Sequence, residues 1–468
     1  MAHNLLGNLP PFWFGEGKAD SSGWRKSSPR GDHSGTSSEG NITMRSTIFR
    51  LLAALVALSM LAVACGGSEG DSESDTSSAA SSDTSSDTSS DTSSDAEPAD
   101  AGDECPETRG VTDTSIKFGS SMPLTGNLAA LGADATFAIE MTAERINDGG
   151  GVNGRMIEVI TQDDEYNAEK TTANSQFFIE REEVFAIWGS IGSAPLVSAI
   201  PLHDESDTLT LFPWAQDLSL YDVDAHPLFF SVNPSAYAQT LALSNLLPDR
   251  FPDEDLKVGL LTINSVDGQQ TVDGFKDGAG GVTLISEQTW EPDATTVLPQ
   301  VIALNDAGVT DVYVGTGDAL FAQFLQEADQ IGLEARVWGS TGTVTSNTIE
   351  LAGDLAEGAY GVTVNASATA PVPGIQRYRE EMLAAGAEEA QLGTASLLAY
   401  TGGLVLEEAL EQAGPCLTVQ SFVDAMHGIE NFDTGGIMPP LTFTEDNHLG
   451  NNGIVIVQVV DGEYVGID

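Results

Sequence analysis

Three kinds of residue in this 468-residue sequence could carry chemistry: cysteines, histidines and short polar loops that follow apolar runs. Cys65, Cys105 and Cys416 are the whole cysteine complement. Cys65 closes an apolar run at 51–64 that stands behind Arg45 and Arg50, the pattern of a signal peptide. The run is shorter than the ~20 residues that a membrane span needs. Export leaves Cys105 and Cys416 as an even pair in an oxidising compartment, which predicts a disulfide, with two buried free thiols as the alternative. Neither spacing suits a metal site. Of the six histidines, His3 and His33 precede the signal, and His203, His226, His427 and His448 are dispersed in a way that reads as solvated side chains. His-Glu-x-x-His and Gly-x-x-x-x-Gly-Lys-Ser/Thr do not occur, and Gly-x-Ser-x-Gly occurs only at Gly66-Gly67-Ser68-Glu69-Gly70, directly after Cys65 and outside any strand-to-helix pattern. Gly315-x-Gly317 follows an apolar run, but Leu320 stands where a dinucleotide fingerprint needs its third glycine, so no cofactor is expected.

The elements that must position these residues alternate. Short β-branched runs at 115–119, 156–161, 184–188 and 209–212 predict strands, with helical periodicity at 129–147, 168–180 and 196–202 between them. A second series predicts strands at 256–263, 282–288, 311–315 and 335–338, and helices at 269–279, 298–307 and 319–331. Later helices are expected at 391–412 and 419–426, then a hairpin of 454–460 with 463–467 around Asp461-Gly462. The βαβ pattern written twice predicts an α/β fold of two doubly wound parallel-sheet lobes. In such sheets ligands sit beyond the carboxyl ends of the strands. Ser193-Ala194 and Trp214-Ala215-Gln216 stand in two such loops.

Charge narrows the function. Lys+Arg 18 against Asp+Glu 70 gives a net charge of -52, which excludes nucleic-acid binding and attraction to anionic lipid. Residues 1–43 read as a disordered extension or a start assigned too early, 44–64 as the signal peptide, and 65–104 as an acidic Ser/Asp/Thr-rich tether that cannot form a core. About 40 such residues span ~35 Å, enough to hold a domain clear of a membrane. Ala62-Val63-Ala64-Cys65 resembles the lipobox of bacterial lipoproteins, which implies a lipidated Cys65 on the outer face of the cell membrane.

Six segments carry a wider resemblance: IKFGSSMPLTG (116–126), AERINDGGGVNGR (143–155), DDE (163–165), WGSIGSA (188–194), ELAGDLAEGAYGVT (350–363) and PPLTFTEDNHLGNNGIVIVQVVDGEYV (439–465). In this order they resemble the branched-chain amino-acid substrate-binding proteins of ABC transporters, in their lipoprotein form. The resemblance implies the two-lobed fold of type I periplasmic binding proteins, with lobes of 105–232 plus 365–440 and 233–364 plus 441–468. It places crossings near 231–233, 362–365 and 440–442. It implies a non-catalytic monomer that clamps a small polar molecule and hands it to permease subunits. A sensor lobe feeding a membrane receptor shares this fold, and a secreted hydrolase is a third reading.

By the same resemblance, the Ser193-Ala194 and Trp214-Ala215-Gln216 loops hold a ligand's carboxylate and amino group, while Leu131 and Tyr400 line opposite walls. The second lobe departs from the pattern. Amino-acid binders carry an acid after the strand ending at Trp338, where this chain has Ser340-Thr341-Gly342. Val266-Asp267 replaces a Tyr-Gly, and Thr316-Gly317-Asp318 stands where an aromatic is common. Asp267 and Asp318 are therefore two candidates for a ligand ammonium, and a ligand without one, an amide, urea or carboxylate, is the other reading.

Overall fold

β-Branched runs bounded by glycine or polar turns become strands because their side chains pack on a pleated, buried surface, and the amphipathic stretches between them become covering helices. The computed structural model describes residues 105–468 other than 127, 279, 292, 293, 452 and 468. The expectations for 1–43, 44–64 and 65–104, with the lipidation of Cys65, lie outside the described residues.

The first sheet contains β1 (Ser115–Met122), β2 (Met156–Asp163), β3 (Ala186–Ser190), β4 (Leu209–Leu211) and β5 (Phe229–Phe230), all parallel, in the order β2-β1-β3-β4-β5. Helices α1 (Ala129–Asp148), α2 (Ala168–Glu180) and α3 (Ser193–Glu205) make its crossovers. Next, α4 (Ala236–Arg250) leads into β6 (Leu256–Ile263), α5 (Val266–Asp277), β7 (Val282–Trp290), α6 (Leu298–Ala307), β8 (Asp311–Val314), α7 (Asp318–Ile331), β9 (Arg336–Gly339), α8 (Ser346–Ala352) and β10 (Tyr360–Thr363). The chain ends with α9 (Pro373–Ala384), α10 (Thr394–Ala413), α11 (Val419–His427), β11 (Val455–Val460) and β12 (Glu463–Gly466).

The second sheet has the order β12-β11-β10-β9-β8-β6-β7. Its strands run parallel from β7 to β10, but β11 is antiparallel to β10 and β12 to β11. The terminal hairpin expected at 454–467 is β11–β12, and it extends the otherwise parallel sheet at the β10 edge. In both sheets the first strand lies between the second and the third, so each has a point where the strand order reverses, β1/β3 in one and β6/β8 in the other. Loops diverge there and leave a crevice at the carboxyl ends of the strands.

Helices α10 and α11 return to the first lobe, where Leu397, Leu406 and Phe422 join Phe118 and Trp188 in one core. A disulfide links Cys105 to Cys416 with Cα atoms 5.0 Å apart. The segment 441–450 also belongs to this lobe. Leu441 and Phe443 are in its core, Ser231 pairs with Leu449, and the Ser231 amide donates to His448 O (3.0 Å). The third crossing thus follows Gly450 and is not near 440–442, because two apolar side chains anchor 441–443 before the chain leaves.

The histidine expectation is corrected for two residues. His203 is 1% exposed and sits between Thr210 Oγ1 and Ser175 Oγ, both at 2.8 Å. Burial pushes its pKa down to about 3, so the ring is neutral. His448 is also buried, stacked on Phe230 with its Nε2 2.9 Å from that of His427. In both cases local partners compensate the loss of water.

Candidate functional site

The loops that follow β1, β2, β3 and β4 are fixed before any ligand is considered. Asp163 Oδ1 accepts from the amides of Leu124 and Glu165, both at 2.9 Å, and Oδ2 accepts from the Thr125 hydroxyl (2.6 Å). Asp164, fully buried, accepts from the Tyr166 amide and the Ser121 hydroxyl, both at 2.9 Å. The DDE segment therefore builds a turn. It holds Glu165 and Tyr166 at positive φ and presents Tyr166 beside the β3 end. There Gly192 takes φ 110°, and a Cβ at this position would lie 2.2 Å from the Tyr166 ring. Only glycine fits both demands.

Ser193 opens α3 immediately afterwards, nearly buried. Its Oγ accepts from the Gln216 amide (2.9 Å) and so ties the Ser193 loop to the Trp214-Ala215-Gln216 loop. The Trp214 amide donates to Ser190 O (2.8 Å), which completes that tie. Ala194 is exposed, Trp214 and Gln216 are half-buried, and Ala215 is buried.

The second lobe meets this surface through the first turn of α5. Ser265 caps the helix, its hydroxyl accepting from the Gly268 amide. Asp267 follows one residue into the helix, where the aligned amides favour negative charge. Its carboxylate lies beside Ser193 of the opposite lobe, and Oδ1 is buried without a partner. Burial raises the Asp267 pKa, the Ser193 hydroxyl opposes the rise, and the nearby Asp217 charge adds to it. Asp267 in turn raises the pKa of Tyr166, after burial and together with Asp164. One turn on, Gln270 reaches the same lobe. Its Oε1 accepts from the Leu218 amide (2.7 Å), and its Nε2 donates to Asp217 Oδ1 (3.1 Å).

The other second-lobe candidates are satisfied by their own lobe. Thr316 is closed onto Ser340, whose hydroxyl donates to Thr316 O (2.8 Å). Asp318 accepts from the Ala319 amide (2.8 Å) and from Asn347 Nδ2 (2.6 Å). Thr341, fully buried, donates to Gln239 Oε1 (2.7 Å). Leu131 is half-buried against the first core. Tyr400 is 0% exposed, and its hydroxyl lies between Arg377 Nε (3.1 Å) and Glu381 Oε2 (2.8 Å) on α9. The expectation that Tyr400 faces a ligand as a wall is corrected: it is an interior residue of the α9–α10 packing.

The structure therefore brings Ser193, Gln216 and Asp267 together, and sets Thr316, Asp318, Thr341 and Tyr400 into separate networks. Sequence reasoning missed Tyr166, Asp217 and Gln270. The signal for Tyr166 was available, since it directly follows the DDE segment after a strand; nothing local marks Gln270. Among the described residues, no group of three or more His, Cys, Asp or Glu could hold a metal ion.

The sequence profile of the family described as "Periplasmic binding protein" matches residues 115–463. The chain belongs to the periplasmic binding protein family. It is similar to "Leu/Ile/Val-binding protein homolog 8" of Brucella abortus (strain 2308), 25% identical over 334 residues, which cover 67% of this chain and 80% of that protein. Among solved structures, a branched-chain amino acid ABC transporter protein from Thermus thermophilus with bound valine superposes with a TM-score of 0.69 at 22% identity, covering 76% of this chain and 96% of that one. A fatty acid ABC transporter substrate-binding protein from Thermomonospora curvata gives 0.69 at 23%, covering 78% and 95%. These two likenesses are of fold. No helix among the described residues is long and apolar enough to cross a membrane.

Proposed function

We propose that this binding protein is an extracytoplasmic, non-catalytic lipoprotein that captures a small polar molecule between its lobes, an amino acid or a related amide, urea or carboxylate, and delivers it to an ABC importer. The observation that carries the reading is the meeting of the two strand-order reversals: Gln270 of α5, behind β6, bonds Leu218 and Asp217 behind β4, with Asp267 set beside Ser193 behind β3. A ligand in that crevice would touch both lobes and favour their closed arrangement by its differential affinity for it. Branched-chain and fatty-acid binders among the similar proteins support transport as the setting. The signal peptide at 44–64, lipidated Cys65, the acidic tether and a monomeric state belong to the same proposal.

The test is a thermal-shift screen against amino acids, amides, ureas and carboxylates. A ligand at 100 times its Kd should stabilise the protein by ~2.7 kcal/mol, and a flat response across all four classes would refute the reading. Labelling with a fatty acid in a lipoprotein-processing host should mark the wild type and leave Cys65→Ala unmarked; equal labelling of the two removes the anchor.

A further inference from the structure

Tyr221 lies where the crevice meets the first crossing. It closes the short 3-10 turn Leu218–Tyr221 between β4 and β5, and its ring packs edge-on against Phe229 of β5, with centroids 5.5 Å apart. Its hydroxyl is 2.7 Å from Ala215 O, in the loop behind β4, and 2.5 Å from Asn233 O, in the first crossing. Burial pushes the Tyr221 pKa up, so the hydroxyl keeps its proton at neutral pH. A phenol has one proton to donate and a carbonyl has none, so the two carbonyls share a single donor.

Neither carbonyl depends on that donor alone. Asn233 Nδ2 also donates to Ala215 O (3.3 Å), and the Ser231 hydroxyl donates to Asn233 O (3.1 Å). Whichever carbonyl gives up the phenol keeps another partner, so the O–H can turn from one to the other without leaving a bare acceptor. The crossing is also one donor short in this arrangement: Asn233 is 1% exposed and its Oδ1 has no partner. A buried acceptor of this kind is costly where it stands and gains from any rotation that brings it a donor.

Connections run outward from this node to both lobes. The start of the same turn faces the second lobe: Asp217 caps it through the Ser219 amide (2.9 Å), and Asp217 and the Leu218 amide bond Gln270. From Asn233 the chain enters α4 in the second core, and the Ala236 amide donates back to Gln216 O (3.1 Å). The Ser231 amide donates to His448 O and the Gly450 amide to Ser231 O, which ties the first crossing to the start of the third. Tyr221, His226, Phe229 and His448 line a small cavity that leaves space beside the ring.

We propose that Tyr221 is a positioning residue that couples the crevice to the hinge: its hydroxyl holds the Ala215 carbonyl to the Asn233 carbonyl and turns from one to the other as the lobes open and close. This goes beyond the solute-binding reading and rests on the two-lobed fold, independent of which solute binds. Gln270 presses on the same turn from the second lobe, so its contacts and those of Tyr221 act in series.

The experiment is amide hydrogen exchange, resolved to single residues, on the ligand-free protein. Tyr221→Phe should speed exchange about tenfold, the loss of one hydrogen bond, at Ala236 and Gly450, which Tyr221 does not touch, and leave the amides of β1 and β3 unchanged. A purely local role would confine the change to the residues beside Ala215, Tyr221 and Asn233. The radius of gyration should rise in Tyr221→Phe as in Gln270→Ala, and the double variant should rise by less than the sum of the two. In wild type, exchange at Leu218, Ser231, Ala236 and Gly450 should report one shared opening free energy, below that of β1. A folded Tyr221→Phe with wild-type exchange at Ala236 and Gly450 would overturn the coupling. So would unequal opening free energies in wild type, a result that needs no variant to fold. A flat thermal-shift screen beside the expected exchange pattern removes the solute-binding reading alone; a ligand found beside wild-type exchange in Tyr221→Phe removes this inference alone.

Discussion

At Ser193 one hydroxyl ties two loops of the first lobe, accepting from the Gln216 amide, and lies beside Asp267 of the second. Ser193→Ala leaves that amide without its partner, which should weaken ligand binding by roughly 1–3 kcal/mol, or about 5–150-fold in Kd by calorimetry. Titratable residues away from the crevice set the pH dependence of stability. His203 is pushed down to about 3 by burial, and His448 to about 4 by burial and the adjacent His427. Each charges near pH 6.5 in the unfolded chain, so the stability they contribute is complete above that pH and is lost as pH falls toward the folded values. The loss has a limiting slope of about 1.4 kcal/mol per pH unit for each ring. Asp134 works in the opposite direction. Burial pushes it up to about 6, so the folded form keeps its proton between about pH 6 and the unfolded value of 3.8, and stability gained there on acidification offsets the histidines. Asp134→Asn should be more stable than wild type at pH 7, by less than about 1 kcal/mol after solvent screening, and should lose that advantage by pH 4. Urea midpoints of the two proteins at both pH values check the sign.

Among the elements, the β3–α3 turn tolerates least change. Gly192→Ala places a Cβ into the Tyr166 ring and an L-residue at φ 110°, which should cost at least ~1–3 kcal/mol in urea denaturation and displace Tyr166 from the crevice. Elements whose burial follows a simple period were legible in the sequence: β3 is buried at every position, and α1 and α7 alternate buried and exposed turns. Helix α4 was not, because its buried face carries Gln239, Thr240 and Ser244 beside Leu243 and Leu247. Helix α9 starts at Pro373 and is rich in charge, with few apolar positions to mark a face. Strand β10 is four residues long and is identified by its neighbours, β9 on one side and β11 from about 90 residues later on the other. Pairing of that kind is set by the whole chain, beyond any local window. The crevice divides in the same way. Ser193 and the Trp214 loop could be read from their places behind strands, whereas the separation of Asp267 from Asp318 depended on which carboxylate found donors in the fold.

For the whole molecule, the question is what holds the lobes against each other. The disulfide does not: it joins Cys105 to Cys416 within the first lobe and closes a loop across 311 residues. Cys105→Ser with Cys416→Ser should therefore lower stability, by ~5 kcal/mol in the chain-entropy limit, while leaving ligand affinity close to wild type. Gln270 is one direct link. Its amide group bonds Leu218 and Asp217 in both directions, contacts that involve neither Ser193 nor Asp267. They favour the closed arrangement whether or not a ligand is present. Affinity measured for any ligand equals its affinity for the closed form multiplied by the closed fraction. Loss of two such hydrogen bonds, ~1–2 kcal/mol, shifts that equilibrium about tenfold where the closed form is a minority. Gln270→Ala should accordingly weaken every ligand by one common factor. The ligand-free variant should also show a larger radius of gyration by X-ray scattering and an altered Trp214 emission, with circular dichroism unchanged. Trp338, buried and bonded to Asp311 inside the second lobe, should report little of this movement. Equal scattering and equal affinities in the two proteins would mean that Gln270 does not govern closure.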